Sequence, residues 1–195
     1  MKQMEMLFEN ILRKVNENND HTFLHQYIGY ADWSTWARGQ AWAVHGFTTS
    51  YRYTKYQPFL DKAVGAANYF LSHLPSSTDL IPYWDFDAPH NSTAPYQPRD
   101  TSAAAICASA LVELSQFVTV SEIRDRLLSS AKDIVNQLTT PKYLIIGNKD
   151  YLLRAIIANG TQGPYPNSHY DVATVYGEYY LTEAALRLYK LGHFF

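Results

Sequence analysis

Hydrophobic residues recur along most of the chain at the three- and four-residue spacing of amphipathic helices. The first eighteen or so residues carry one such stripe, which consists of Met4, Leu7, Phe8, Ile11, Leu12 and Val15. A second helix is predicted to begin after Ser34 or Thr35 as N-cap and to continue to about Tyr51. A third helix is predicted to have Pro58 in its first turn and to stop before Pro75.

A proline-rich segment, residues 76–100, then separates these helices from four more helical segments. Proline cannot continue a helix, so this segment is predicted to be a long loop, and long loops in compact domains usually carry function. Thr101 or Ser102 is expected to cap a helix of small residues, and the next helix begins near Ser121. A short helix is predicted from Leu152 to Ala158, and the last helix from about Val172 to Lys190.

Two kinds of helix alternate in this series. The helices that follow Ser34, Thr101 and Asp171 are rich in small or aromatic residues nearly all round, whereas the first helix and those near Pro58 and Ser121 have one apolar stripe. An inner ring of helices contacted on all sides and an outer ring with one exposed face would produce this alternation. The sequence therefore predicts an all-α fold, an α/α toroid, with enough helices for about half of it. Residues 1–195 are expected to form a single partial domain.

Composition excludes several classes of function. The formal net charge of −2, without clustered lysine and arginine, argues against a nucleic-acid partner. The single cysteine, Cys107, lies in an apolar run and is expected to be a core residue, which excludes a disulfide framework. No apolar run approaches the roughly 20 residues that span a bilayer, and the N-terminus shows no signal-peptide core. We expect no membrane partner and favour the cytoplasm.

The aromatic content gives the first indication of a ligand. Aromatic residues make up 15% of the chain, with sixteen tyrosines and four tryptophans. Rings with polar tips suit sites that are partly apolar and partly wet, such as sugar-binding sites. The alternative is that large rings simply fill wide gaps between helices rich in small residues.

Arg38 stands out because it falls in the first turn of its predicted helix, where the helix dipole disfavours a cation. Trp42 follows four residues later, which places the ring and the guanidinium on one face of the helix. This pair could bind a carboxylate and a sugar. The alternative is that Arg38 pairs with Asp32 or Asp100 and ties two loops together.

Four ordered motifs resemble the unsaturated glucuronyl hydrolases of glycoside hydrolase family 88. They are YADWSTWARGQAW, IPYWDFDAP, PRDTSAAAICASALVEL and DVATVYGEYYLTEAALRL. The resemblance covers about residues 30–189 and corresponds to the C-terminal half of the family. It implies an (α/α)6 barrel that removes a 4,5-unsaturated uronic acid from oligosaccharides by hydration of the C4=C5 double bond. It implies no metal and no cofactor, and an acidic oligosaccharide as partner.

The resemblance also implies which residues bind substrate. Arg38 and Trp42 match the family's substrate-lining arginine and tryptophan, and Trp36 and Asp100 are further candidates beside them. His25 resembles a pocket histidine of the family. A glutamine that contacts the uronate in the family is replaced by Ile28, which cannot hydrogen-bond a ligand with its side chain.

The two essential aspartates of the family have no recognisable counterpart in this chain, so its catalytic residues are unknown. The remaining candidates, Asp32, Asp85, Asp87, Asp100 and Asp171, are interpreted mainly as helix caps and loop ties. One hypothesis is therefore a truncated hydrolase that is inactive by itself. The others are a non-catalytic remnant that binds acidic sugars and a helical module that pairs with another half-barrel. Self-association through the open flanks of the half-barrel is also expected.

Overall fold

The computed structural model describes residues 29–31, 33–75, 79–89, 97–145 and 169–192. These residues contain five helices, namely α1 (Ala37–Thr54), α2 (Gln57–Ser72), α3 (Thr101–Ser115), α4 (Ser121–Leu138) and α5 (Val175–Lys190). The helices predicted for residues 1–18 and 152–158 lie outside the described residues. None of the five helices is long and apolar enough to cross a membrane.

The helix starts differ in detail from those predicted. Ser34 or Thr35 is expected to cap α1, but Trp36 occupies the N-cap position without a capping hydrogen bond from its side chain, so this prediction is wrong. The Thr35 backbone N–H instead donates to Asp87 at 2.8 Å. The cap of α3 is Asp100 rather than Thr101 or Ser102, because its carboxylate accepts from two backbone N–H groups of the first turn.

The helices form two layers, as the alternation of helix types predicts. Helices α1, α3 and α5 lie side by side, while α2 packs against α1 and α4 packs against α3. The central helix α3 is buried on nearly every side. Cys107, which lies on this helix, is a buried core residue as expected. Small residues make this possible, since alanine and serine let neighbouring helices approach closely. Each of the outer helices α2 and α4 buries a single stripe of residues.

Helix α5 departs from the expectation that inner helices are contacted on all sides. Its exposed face carries Val175, Tyr179, Leu186 and Tyr189, whose exposed fractions are 80%, 59%, 49% and 68%. Among the described residues, α5 packs against α3 and, to a smaller extent, α4. Among the described helices, α5 therefore forms one edge of the inner layer.

The described parts of the long loop connect the starts of α1 and α3. The Ala37 N–H donates to the Trp84 carbonyl at 3.0 Å, and the Asp100 N–H donates to the Pro82 carbonyl at 2.9 Å. Asp85, which is 1% exposed, accepts hydrogen bonds from the Ser34 hydroxyl and from backbone N–H groups on both sides. Asp85 is thus the loop tie that the sequence predicts, and it attaches the loop to the segment that precedes α1.

Candidate functional site

The first turns of α1, α3 and α5 meet around the side chain of Arg38. Its Nη1 atom donates to the Ser102 hydroxyl at 3.0 Å and to the Tyr176 hydroxyl at 3.1 Å. The same atom lies 3.3 Å from the Asp100 carboxylate. We call Trp36, Arg38, Asp100, Ser102 and Tyr176 the N-terminal cluster. The prediction that these three helix starts converge on one place is confirmed.

Asp100 is the buried anion of the N-terminal cluster. It is 0% exposed, and its Oδ1 atom accepts from the backbone N–H groups of Ser102 and Ala103 and from the Ser102 hydroxyl. Its Oδ2 atom faces Arg38, which is itself only 5% exposed. The charge of Arg38 compensates the buried carboxylate, so the alternative in which Arg38 ties two loops through Asp100 is present in the structure.

Two aromatic rings flank the guanidinium of Arg38. The ring centres of Trp36 and Tyr176 each lie 4.9 Å from Cζ, a distance at which cation–π attraction operates. Burial and the charge of Asp100 raise the pKa of Tyr176 despite the opposing charge of Arg38. The Tyr176 hydroxyl therefore stays protonated and neutral around pH 7.

A second group of rings lies further along the helices that form the cluster. Trp42 and His45 of α1 contact Tyr180 of α5, with ring centres 5.3 and 5.1 Å apart and edge-to-face geometry. These three residues, which we call the ring trio, are each partly exposed. Burial lowers the pKa of His45, and its imidazole is therefore predominantly neutral at pH 7. Half-exposed rings of this kind suit contact with the apolar face of a sugar.

An ion network lies beyond the ring trio, towards the C-terminal ends of the same helices. Glu113 pairs with Arg52 at 3.0 Å and with Arg187 at 2.9 Å, and Arg187 also pairs with Glu183 at 3.3 Å. The two positive charges balance the two negative charges. In the described part of the chain, no group of three or more histidine, cysteine, aspartate or glutamate side chains is placed to hold a metal ion.

The structure brings most of the predicted site residues together. Arg38, Asp100 and Trp36 form the N-terminal cluster, and Trp42 lies one helical turn beyond Arg38. His25 lies outside the described residues. Direct contact of any of these side chains with a substrate stays a prediction.

Sequence reasoning missed four residues of the site, namely Ser102, Tyr176, His45 and Tyr180. Tyr176 lies inside the fourth family motif and in the first turn of its helix, and this position could have suggested it. Its distance from Arg38, 138 positions along the chain, hid the contact.

Comparison with known proteins finds relatives of this chain. No family model matches the chain. It is 41% identical over 159 residues to the unsaturated glucuronyl hydrolase of Formosa agariphila, a match that covers 81% of this chain and 37% of that protein. The solved structure of an unsaturated glucuronyl hydrolase specific for heparin matches with a TM-score of 0.75 and 33% identity, over 87% of this chain and 44% of that one. Over the residues that align, the chain is thus similar to the unsaturated glucuronyl hydrolases.

The chain spans about two fifths of the length of the unsaturated glucuronyl hydrolases that it matches. A solved variant of such an enzyme with dGlcA-Glc-Rha-Glc matches with a TM-score of 0.74 and 33% identity, over 85% of this chain and 42% of that one. The fold class predicted from the sequence, about half of an α/α toroid, is confirmed by these neighbours and by the two layers of helices.

Proposed function

We propose that this chain supplies part of the substrate basin of a hydrolase that removes 4,5-unsaturated glucuronic acid from acidic oligosaccharides. The convergence of three helix starts around Arg38 is the observation that carries the proposal, because it places a cation, two rings and a helix cap at one end of the inner layer. The family and the unsaturated ligand of the solved relative support this class of substrate.

Each residue of the basin has a role that its chemistry suits. Arg38 binds the uronate carboxylate through charge-assisted hydrogen bonds, and Trp36 and Trp42 provide apolar surfaces for the sugar ring. Asp100 contributes through Arg38, since its carboxylate is fully buried behind the guanidinium. His25 completes the predicted set as a further ligand contact.

The reaction of the family requires a carboxyl group that is protonated near neutral pH. This group protonates the C4=C5 double bond, which is an enol ether, and water adds at C5. The resulting hemiketal opens and releases the next sugar. A partly apolar pocket would keep the carboxyl group protonated, because burial raises its pKa. The sequence analysis predicts no counterpart of the family's proton donor in this chain, and we propose that the chain alone binds unsaturated uronides without hydrolysing them.

The test combines a binding measurement with a turnover measurement on the full chain. Titration calorimetry with an unsaturated glucuronyl disaccharide should show binding, while the ultraviolet absorbance of the conjugated double bond should persist. Steady decay of the absorbance would show that the chain is catalytic. Absence of binding would remove the proposed basin from this chain.

Arg38→Lys tests the role of the guanidinium in the same titration. Lysine keeps the positive charge but loses the forked donor geometry, so we expect the affinity to fall about tenfold. Arg124→Lys is the matched control, because Arg124 lies on α4, is itself exposed and pairs with its exposed neighbour Asp125. Equal affinities of the two variants would exclude Arg38 from the ligand contact.

A further inference from the structure

Tyr176 contacts Arg38 in two ways, through its hydroxyl and through its ring. The hydroxyl accepts from Nη1 at 3.1 Å, and the ring centre lies 4.9 Å from Cζ. The contact joins the first turns of α1 and α5, which are the outer two of the three inner helices. Tyr176 therefore restrains both the position and the plane of the guanidinium.

The close approach of α5 to α3 depends on Gly177, the residue after Tyr176. A Cβ atom at this position would lie 2.8 Å from the Thr174 hydroxyl oxygen and 3.2 Å from Cβ of Ser102. Any larger residue would push the start of α5 away from α3. The glycine thus allows the Tyr176 hydroxyl to reach the nitrogen of Arg38 that also contacts Ser102.

The chemistry of a tyrosine suits this place better than a second acid would. Asp100 already compensates the charge of Arg38 from the α3 side. A neutral phenol adds a directed hydrogen bond without further neutralising the guanidinium, which keeps its attraction for an anionic ligand. Asp100 on one side and Tyr176 on the other therefore define one orientation for the guanidinium.

We propose that Tyr176 is a positioning residue that aligns the Arg38 guanidinium with the carboxylate of the bound uronide. The inference rests on the proposed function, because it assigns Arg38 the uronate carboxylate as its ligand. Tyr176 acts through Arg38 and takes no part in the chemical step. Its effect should therefore depend on whether the ligand carries a carboxylate.

The first experiment compares Tyr176→Phe with the unchanged chain in calorimetric titrations. The probes are an unsaturated glucuronyl disaccharide and its uronate methyl ester, which lacks the negative charge. Loss of the hydroxyl should weaken binding of the acid about threefold to tenfold and leave binding of the ester unchanged. Tyr179→Phe is the matched control, because Tyr179 lies on the same helix and is 59% exposed. Equal weakening for both probes, or none, would overturn the proposal.

The second experiment tests the Tyr176–Arg38 contact without any ligand. Urea unfolding of Tyr176→Phe, Arg38→Lys and the double variant forms a double-mutant cycle. If the two side chains position each other, the unfolding constant of the double variant should depart from the product of the single effects by about threefold or more. Independent effects would overturn the proposal. Coupling without binding of either probe would instead support the positioning contact and contradict the proposed function.

Discussion

At the scale of single residues, close packing decides what the helix starts can contain. The N-terminal cluster surrounds Arg38 so closely that only 5% of this residue is exposed. Gly177 makes room for the cluster because it lets α5 approach Ser102. Gly65 in α2 is different, since a Cβ atom there would meet no neighbour within 4 Å. These two glycines, both in helices, therefore allow a matched test of packing against helix propensity.

We expect Gly177→Ala to lower the free energy of unfolding by about 1–3 kcal/mol, because the added methyl group must displace Thr174 or Ser102. Gly65→Ala should raise it by about 0.5–1 kcal/mol, because alanine is the better helix former and has open space there. Urea unfolding of both variants checks the expectation. Stabilisation by both substitutions would mean that α5 does not approach α3 this closely.

At the scale of elements, Asp79 attaches the start of the loop to the segment that follows α4. Its carboxylate accepts from Lys142 Nζ at 2.6 Å and from the Tyr143 hydroxyl at 3.0 Å, and Arg99 Nη2 lies 3.4 Å away. Burial alone would raise the pKa of Asp79, but the hydrogen bonds and the charge of Arg99 outweigh it and lower the pKa. The loop that precedes α3 and contacts the start of α1 is thereby also attached to the segment that follows α4.

This linkage predicts a pH dependence of stability. Because the pKa of Asp79 is lower in the folded chain than in the unfolded chain, its stabilisation is fully present above the ordinary carboxyl pKa of about 4 and is lost as the pH falls further. Asp79→Asn should therefore reduce the loss of stability between neutral and acidic pH. Asp125→Asn is the control, since the Asp125 side chain is 68% exposed. The measurement is the urea midpoint of each variant at neutral and at acidic pH. If the midpoint falls equally between these two conditions for both variants, the expectation is contradicted.

At the scale of the whole molecule, the described helices form an open arc. The chain spans 44% of the solved heparin-specific relative, and the outer face of α5 exposes four large side chains. Exposed apolar patches of this kind favour association. Counting only the described helices, a second copy of the chain would bring three more inner helices, the number that an (α/α)6 ring needs for closure.

We therefore predict that the chain self-associates through the exposed face of α5. Sedimentation velocity should show concentration-dependent dimers or larger species. Leu186→Glu should shift the chain towards the monomer, because it places a charge on this face. Val120→Glu should not, although Val120 and Leu186 are both 49% exposed, because Val120 is the N-cap residue of α4 and is not part of the exposed face of α5. A monomer at every concentration would contradict the prediction.

Much of the fold follows from local patterns in the sequence. The apolar stripe that Leu60, Ala67 and Phe70 belong to predicts α2, and the small residues of α3 predict a helix that is buried all round. Helix starts were less predictable, because several side chains compete as caps. Thr35 has the chemistry of a cap, yet the loop supplies Asp87 to its backbone N–H group. Such competition is decided by residues distant in sequence.

The candidate site was predictable only in part for the same reason. Arg38 and Trp42 share a helix face, so their spacing alone places them together. The partners of Arg38 come from α3 and α5, 64 and 138 positions away for Ser102 and Tyr176. Nothing in the local sequence around Arg38 shows that Asp100 lies beside it, and Asp32, the other candidate, lies outside the described residues.

The sequence by itself determined the helices, their alternation between two layers and the family motifs, because helical periodicity and capping act over a few neighbouring residues. Only the tertiary structure decided that Asp100 and Tyr176 enclose Arg38, that the ring trio bridges α1 and α5, and that one face of α5 remains open. These contacts depend on the packing of entire helices, in which a single glycine sets the distance between two of them.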